Sequence, residues 1–255
     1  MEQTEKKFPS EVINLPSDGY FYAENHPLKS GTVEIAYMTA KHEDILTSRN
    51  LIQKGIVLDK LLESLILTKG VSVDDLLIGD KNALLIASRI LAYGKNYDIE
   101  YMCQSCSSKE SAVVDLQSLY NKTTDFSVGT KHINSIEYTL PISEVKVGFR
   151  FLTSRDEKEI DQILVGLKKI GIESDLTTRL KQSIISINGN PDRKVINNFI
   201  DNNLLAQDSL ALRKYMNLLT PDVNLKQEFK CTSCGNTKDY LIPISADFFW
   251  PASWE

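Results

Sequence analysis

Long apolar runs, a large excess of one charge and the familiar catalytic signatures are all missing from this 255-residue chain. No uncharged apolar stretch approaches the roughly 18 residues needed to cross a bilayer, and Met1 to Lys7 lack the apolar core of a secretory signal. A cytosolic protein is therefore expected. Lys and Arg number 29 against 34 Asp and Glu, a formal charge of −5, so the chain lacks the basic stripe of a dedicated nucleic-acid binder. There is no Gly-x-x-x-x-Gly-Lys-Ser/Thr phosphate loop, no Gly-x-Gly-x-x-Gly, no His-Glu-x-x-His and no Gly-x-Ser-x-Gly. His42-Glu43 comes nearest, but no second histidine follows one turn on. The three histidines, His26, His42 and His132, are scattered over a turn, a helix start and a loop, without the positioned partner that a general base requires. Acidic pairs such as Asp74-Asp75 and Asp156-Glu157 suit solvated helix starts. A non-enzyme with no catalytic residue is expected.

What is present is ordinary globular composition, with 42% hydrophobic and 25% charged residues. A chain of this length can bury its core without disulfides. Val33, Ile35 and Tyr37 alternate with polar or small residues as in a half-buried strand, and Thr39 then offers a helix cap before Glu43-Asp44. Apolar residues at helical spacing follow as far as Gly94, a natural helix stop. The same order recurs later. Val145, Val147, Phe149 and Phe151 alternate, Thr153 or Ser154 offers a cap, Ser154 to Glu157 fits a capping box, and helical periodicity runs to Leu219, with Pro191 placed to open one helix.

Each helical stretch leads into an extended segment and a Cys-x-x-Cys pair, Cys103/Cys106 and Cys231/Cys234, which predicts an internal duplication. The expected fold is α+β, with two mainly helical subdomains, each with flanking strands, joined by a split zinc-ribbon-like β element. Its parts are an arm and turn over 1–31, a strand and first helical subdomain over 32–96, and a first knuckle with β segment over 97–152. A second helical subdomain follows over 153–222, a second knuckle over 223–245, and an aromatic tail over 246–255.

In a reducing cytosol four cysteines are thiols, metal ligands or redox groups rather than bridges. Two Cys-x-x-Cys pairs supply the four thiolates of a tetrahedral structural zinc site. The pairs are 124 residues apart instead of the ~15–20 of a compact site, so a shared ion would place a whole helical domain inside the ribbon. Free thiols in separate knuckles, or redox or iron–sulfur chemistry, are the alternatives. A thioredoxin-type pair should open a helix, whereas both pairs here lie between extended segments. A four-thiolate zinc has no open position, so it would stabilise a scaffold rather than activate water.

Phe126, Tyr138, Phe149 and Phe151 read as core aromatics, since no basic groove accompanies them. The end of the chain is different. Both tryptophans fall within Phe248-Phe249-Trp250-Pro251-Ala252-Ser253-Trp254-Glu255. Phe248, Phe249, Trp250 and Trp254 are candidate partner-binding residues, because Trp and other large aromatics are favoured at interfaces; packing back as a terminal anchor is the alternative.

Leu15-Pro16-Ser17-Asp18-Gly19, the block Met38 to Asp44, the segment Leu76 to Ile90 with Tyr93-Gly94, and the first cysteine pair resemble the T4-type bacteriophage baseplate hub assembly proteins. The resemblance covers mainly residues 12 to 116. It implies a tail-assembly factor, chaperone or hub subunit, working in the host cytoplasm or in the virion tail baseplate. Its implied partners are phage tail proteins, hub or tape-measure components; a membrane is not expected and nucleic acid is disfavoured. Asp80, Arg89 and Gly94 belong to the characteristic segment and are expected as an N-cap, a polar partner and a helix stop. A nucleic-acid-associated zinc-ribbon protein is the second functional expectation.

Overall fold

The computed structural model describes residues 9–119, 121–122 and 124–249. The first half opens with an antiparallel pair, β1 (Ser10–Asn14) and β2 (Thr32–Ala36). Three short helices follow, α1 (Ala40–Leu46), α2 (Arg49–Gln53) and α3 (Val57–Leu65), then the longer α4 (Ile78–Tyr93). A hairpin of β3 (Asn96–Met102) and β4 (Lys109–Asp115) carries the first cysteine pair in its turn. The second half repeats the plan. β5 (Ile136–Thr139) and β6 (Lys146–Phe149) lead to α5 (Ser154–Lys169) and α6 (Asp175–Ser183). The strand β7 (Ile184–Ile187) adds to β6, and α7 (Arg193–Asn198) continues as one π-helical turn, Phe199–Asn203. α8 (Ala206–Leu219) and the hairpin β8 (Lys226–Lys230) and β9 (Thr237–Leu241) close the second half.

The expected helix starts and stops are formed with three adjustments. Thr39 caps α1, its backbone N–H donating to His42 Nδ1 at 2.9 Å. In the second half the capping box joins Thr153 to Asp156 rather than starting at Ser154, and Arg150 clamps the same carboxylate at 2.6 and 2.7 Å. Gly94 ends α4 with a φ of 83°, as a left-handed stop should. Pro191 does not open a helix: Asp192 is the N-cap of α7, because its carboxylate accepts the Lys194 N–H while Pro191 precedes it in the turn.

Asp80 is not an N-cap either. Leu77 holds that position, and Asp80 lies in the first turn of α4, fully buried. Its carboxylate accepts from the Ser17 backbone N–H and hydroxyl at 2.9 and 2.7 Å and from the Tyr22 hydroxyl at 2.6 Å. It thus ties the Leu15-Pro16-Ser17 turn after β1 to the start of α4. The second half has the same joint. Asp208, in the first turn of α8 and fully buried, accepts from the backbone N–H groups of Ile142 and Ser143 at 2.9 and 3.0 Å, in the turn that begins Leu140-Pro141 after β5. Both turns end on a left-handed residue, Asp18 and Glu144. Asp80 and Asp208, Cys103 and Cys231, and Cys106 and Cys234 are each 128 positions apart, so the two halves match in register from the joint to the knuckle.

The core is continuous across both halves, from Leu15 and Phe21 through Leu61, Leu84 and Phe149 to Phe248 and Phe249. Phe149 and Phe151 are buried as expected of core aromatics; Phe126 and Tyr138 are half-buried and stack on Tyr20 and Tyr215. Phe248 and Phe249 are also fully buried, in a 3-10 turn, Ala246–Phe249, that packs against α4. Arg89, buried on α4, donates through Nε to the Phe248 carbonyl and through a terminal NH to the Gly94 carbonyl. These two phenylalanines therefore anchor the end of the chain to the first half instead of offering their rings to a partner. Trp250 and Trp254 lie outside the described residues. Among the described residues no helix is long and apolar enough to cross a membrane.

Candidate metal centre

The two knuckles have the same backbone. In the first, Cys103 N–H donates to the Ser108 carbonyl and Ser107 N–H to the Cys103 carbonyl; in the second, Cys231 N–H donates to Asn236 and Gly235 N–H to Cys231. Ser107 and Gly235, four residues after the first cysteine of each pair, both take positive φ, 58° and 72°. Glycine takes such a turn freely, and a small polar residue tolerates it. Each turn exposes its second sulfur and buries its first, so Cys103 and Cys231 are buried while Cys106 and Cys234 are exposed.

All four sulfurs lie within 4.8 Å of one another. Cys103 Sγ is 3.7 Å from Cys234 Sγ, and Cys106 Sγ is 3.7 Å from Cys231 Sγ, so each pair reaches across to the other. A tetrahedron of four sulfurs about 2.3 Å from its centre has an edge of about 3.8 Å. The donor set and spacing fit a four-thiolate metal ion, and the arrangement supplies ligands from both halves of the chain.

The surrounding groups are arranged with an approximate twofold relation. Tyr101 and Phe229, each two residues before the first cysteine of its pair, stack with ring centroids 5.1 Å apart. Glu110 and Lys238, each seven residues after that cysteine, reach to the opposite knuckle. Lys238 Nζ donates to Gln104 Oε1 at 3.1 Å. Glu110 accepts from the hydroxyls of Thr232 at 2.6 Å and Ser233 at 2.9 Å, and from Ser108 at 2.9 Å. These bonds hold its carboxyl down at about 2. Periodicity along β4 places Glu110 on the same face as Ala112 and Val114, and an acid on that inward face was the available signal for it.

The thiols respond unequally to being brought together. Backbone N–H groups of Cys106 and Ser105 draw Cys103 down, and the Ser108 hydroxyl and backbone N–H draw Cys106 to about 6. At Cys234 the Asn236 backbone N–H is outweighed by the neighbouring Cys106 and Cys231 sulfurs and by burial, which push it up to about 12. Four sulfurs at this separation do not all ionise without a cation between them, and a divalent ion removes that repulsion.

The site thus defines an α+β protein whose two halves meet at a four-cysteine cluster. The chain belongs to the T4 bacteriophage base plate protein family, whose family model matches residues 20–250. No curated protein and no solved structure matches it. Membership gives it a structural or assembly role in the phage baseplate, in contact with other tail or baseplate proteins.

Proposed function

We propose that the protein is a non-enzymatic assembly factor of the baseplate hub, a chaperone or hub subunit, stabilised by one structural zinc on Cys103, Cys106, Cys231 and Cys234. The convergence of both cysteine pairs within 4.8 Å carries the metal part of this proposal. Zinc supplies a closed tetrahedral link with no open coordination position, so its role is to hold the halves together. The chain's own contribution is to fix the two turns before the ion arrives. The knuckle hydrogen bonds orient each pair, the Glu110 and Lys238 contacts align one turn on the other, and the Tyr101–Phe229 stack sets the distance between the hairpins.

The partners proposed are hub or tape-measure components met in the host cytoplasm during assembly. With Phe248 and Phe249 seated in the core, the partner contact at this end of the chain falls to Trp250 and Trp254. Co-purification from cells expressing the full set of tail genes tests both points. A stable complex with a hub or tape-measure protein is expected, with its yield reduced by Trp250→Ala together with Trp254→Ala. Unchanged partners at unchanged yield would remove the tail from the interface, and absence of any tail protein would contradict the assembly role.

A further inference from the structure

The repeated plan presents the surfaces of one inter-helix step contact twice, and the fold closes only one of the two pairs. Within the chain, the step into α5 lies antiparallel to the step into α4. Ser154 N–H donates to the Leu76 carbonyl at 2.8 Å, Ile78 N–H donates to the Leu152 carbonyl at 3.3 Å, and Leu77 faces Thr153 in the register. Ion pairs surround this contact. Lys158 bridges Asp59 and Asp74, Arg155 pairs with Asp75 at 3.0 Å, and Lys81 also meets Asp59. The junction buries Leu77 to 3% and Ser154 to 1% exposure.

The equivalents of these two surfaces are both present and both open. Counting from the aligned aspartates, Leu76-Leu77-Ile78 corresponds to Leu204-Leu205-Ala206 at the start of α8. Counting from the aligned caps, Leu152-Thr153-Ser154 corresponds to Met38-Thr39-Ala40 at the start of α1. Leu205 is 47% exposed where Leu77 is buried, and Ala40 is exposed where Ser154 is buried. The charges have changed together. Asp44 stands at the position of Lys158 and Lys41 at that of Arg155, while Asn202 and Asn203 replace Asp74 and Asp75. An aspartate opposite the original acids would repel them; opposite an asparagine it can accept a hydrogen bond, and Lys41 can donate to the other. The substitutions keep the two open surfaces compatible while removing their ion cluster.

We propose that this open joint docks a second copy of the chain, whose Met38–Ala40 step lies on Leu204–Ala206 as Leu152–Ser154 lies on Leu76–Ile78. Such a contact is heterologous, using different surfaces on the two molecules, so it extends head to tail and ends in a ring if its rotation closes. With hydrogen bonds between charged groups and asparagines in place of ion pairs it is weaker than the junction inside the chain, and forms where local concentration is high. It depends on the duplication and not on the metal or on the hub assignment.

Sedimentation velocity of the full-length protein over a rising concentration series tests it. Self-association is expected for the native chain, weakened by about tenfold or more in Leu205→Asp and in Ala40→Glu. Both variants suit their helix positions, an aspartate at an N-cap and a glutamate in a first turn, so thermal melts should match the native chain. Each variant keeps one intact surface, and an equal mixture should therefore form dimers and nothing larger. A native chain that stays monomeric throughout, a variant that associates like the native chain, or a mixture that stays monomeric would each overturn the proposal.

Discussion

The two halves share a plan and differ in position. α4 lies at the centre, touched by β1, α3, the step into α5 and the terminal phenylalanine turn, whereas α8 keeps Leu205, Leu210 and Leu218 exposed. The difference begins at one residue. Gly79 in the first turn of α4 lets the backbone of Pro221 and Asp222 lie directly against the helix, where any Cβ would overlap the Pro221 carbonyl; its counterpart in α8 is Gln207. Asn82 then donates to Asp222 at 3.1 Å, and that position in α8 is Leu210. The two halves thus carry equivalent joints, and these local differences leave α4 in the core and one side of α8 at the surface.

The comparison predicts unequal losses from equal substitutions, except at the metal. Cys103→Ser and Cys231→Ser should each remove the proposed ion and cost on the order of several kcal/mol, alike, because the proposed site draws its ligands from both halves; metal content and thermal melts compare them. At the joints, Asp80→Ala should cost about 3–5 kcal/mol, since it strands the Ser17 and Tyr22 donors in the core, and Asp208→Ala about 1–2 kcal/mol. Urea denaturation measures both, and equal values would contradict the central placement of α4. Gly79→Ala should cost about 1–3 kcal/mol by overpacking, while Gln207→Ala should stay within about 0.5 kcal/mol.

The two aspartates should also respond to acid in opposite senses. Burial pushes the Asp80 carboxyl above the usual carboxylate range, despite its hydrogen bonds from Tyr22 and Ser17. At Asp208 burial is outweighed by the hydrogen bonds from the backbone N–H groups of Ile142 and Ser143, which leave it below that range. A carboxyl lowered by folding stabilises above its unfolded pKa and loses that stabilisation as pH falls through its folded value; a raised one behaves in reverse. Asp208→Asn should therefore flatten the loss of stability below about pH 4, and Asp80→Asn should not. Melting temperatures across pH 3 to 7 read this smallest effect.

Much of the plan was legible in local sequence. The Thr39 and Thr153 caps, the Gly94 stop and the two cysteine pairs each announce themselves within a few residues, because caps, left-handed stops and metal knuckles are local devices. The joints were not, since Ser17 and Asp80 are 63 positions apart and neither belongs to a periodic pattern. Asp80 therefore looked like a cap, although its carboxylate is satisfied by a distant turn. Phe248 and Phe249 pointed toward a partner for the same reason: composition marks them as anchors, and only the packing of α4 shows what they anchor to. At the cysteine cluster the two Cys-x-x-Cys pairs were legible and Glu110 was not, because its contacts to Thr232 and Ser233 exist only once the two hairpins meet.

Zinc content measured on the purified native chain and on Cys103→Ser and Cys231→Ser side by side tests the joining of the two halves most directly. One zinc per native chain, lost completely from both variants, is the expected result. Two zinc ions per chain, or zinc retained by one variant and lost from the other, would contradict a single ion shared between the halves.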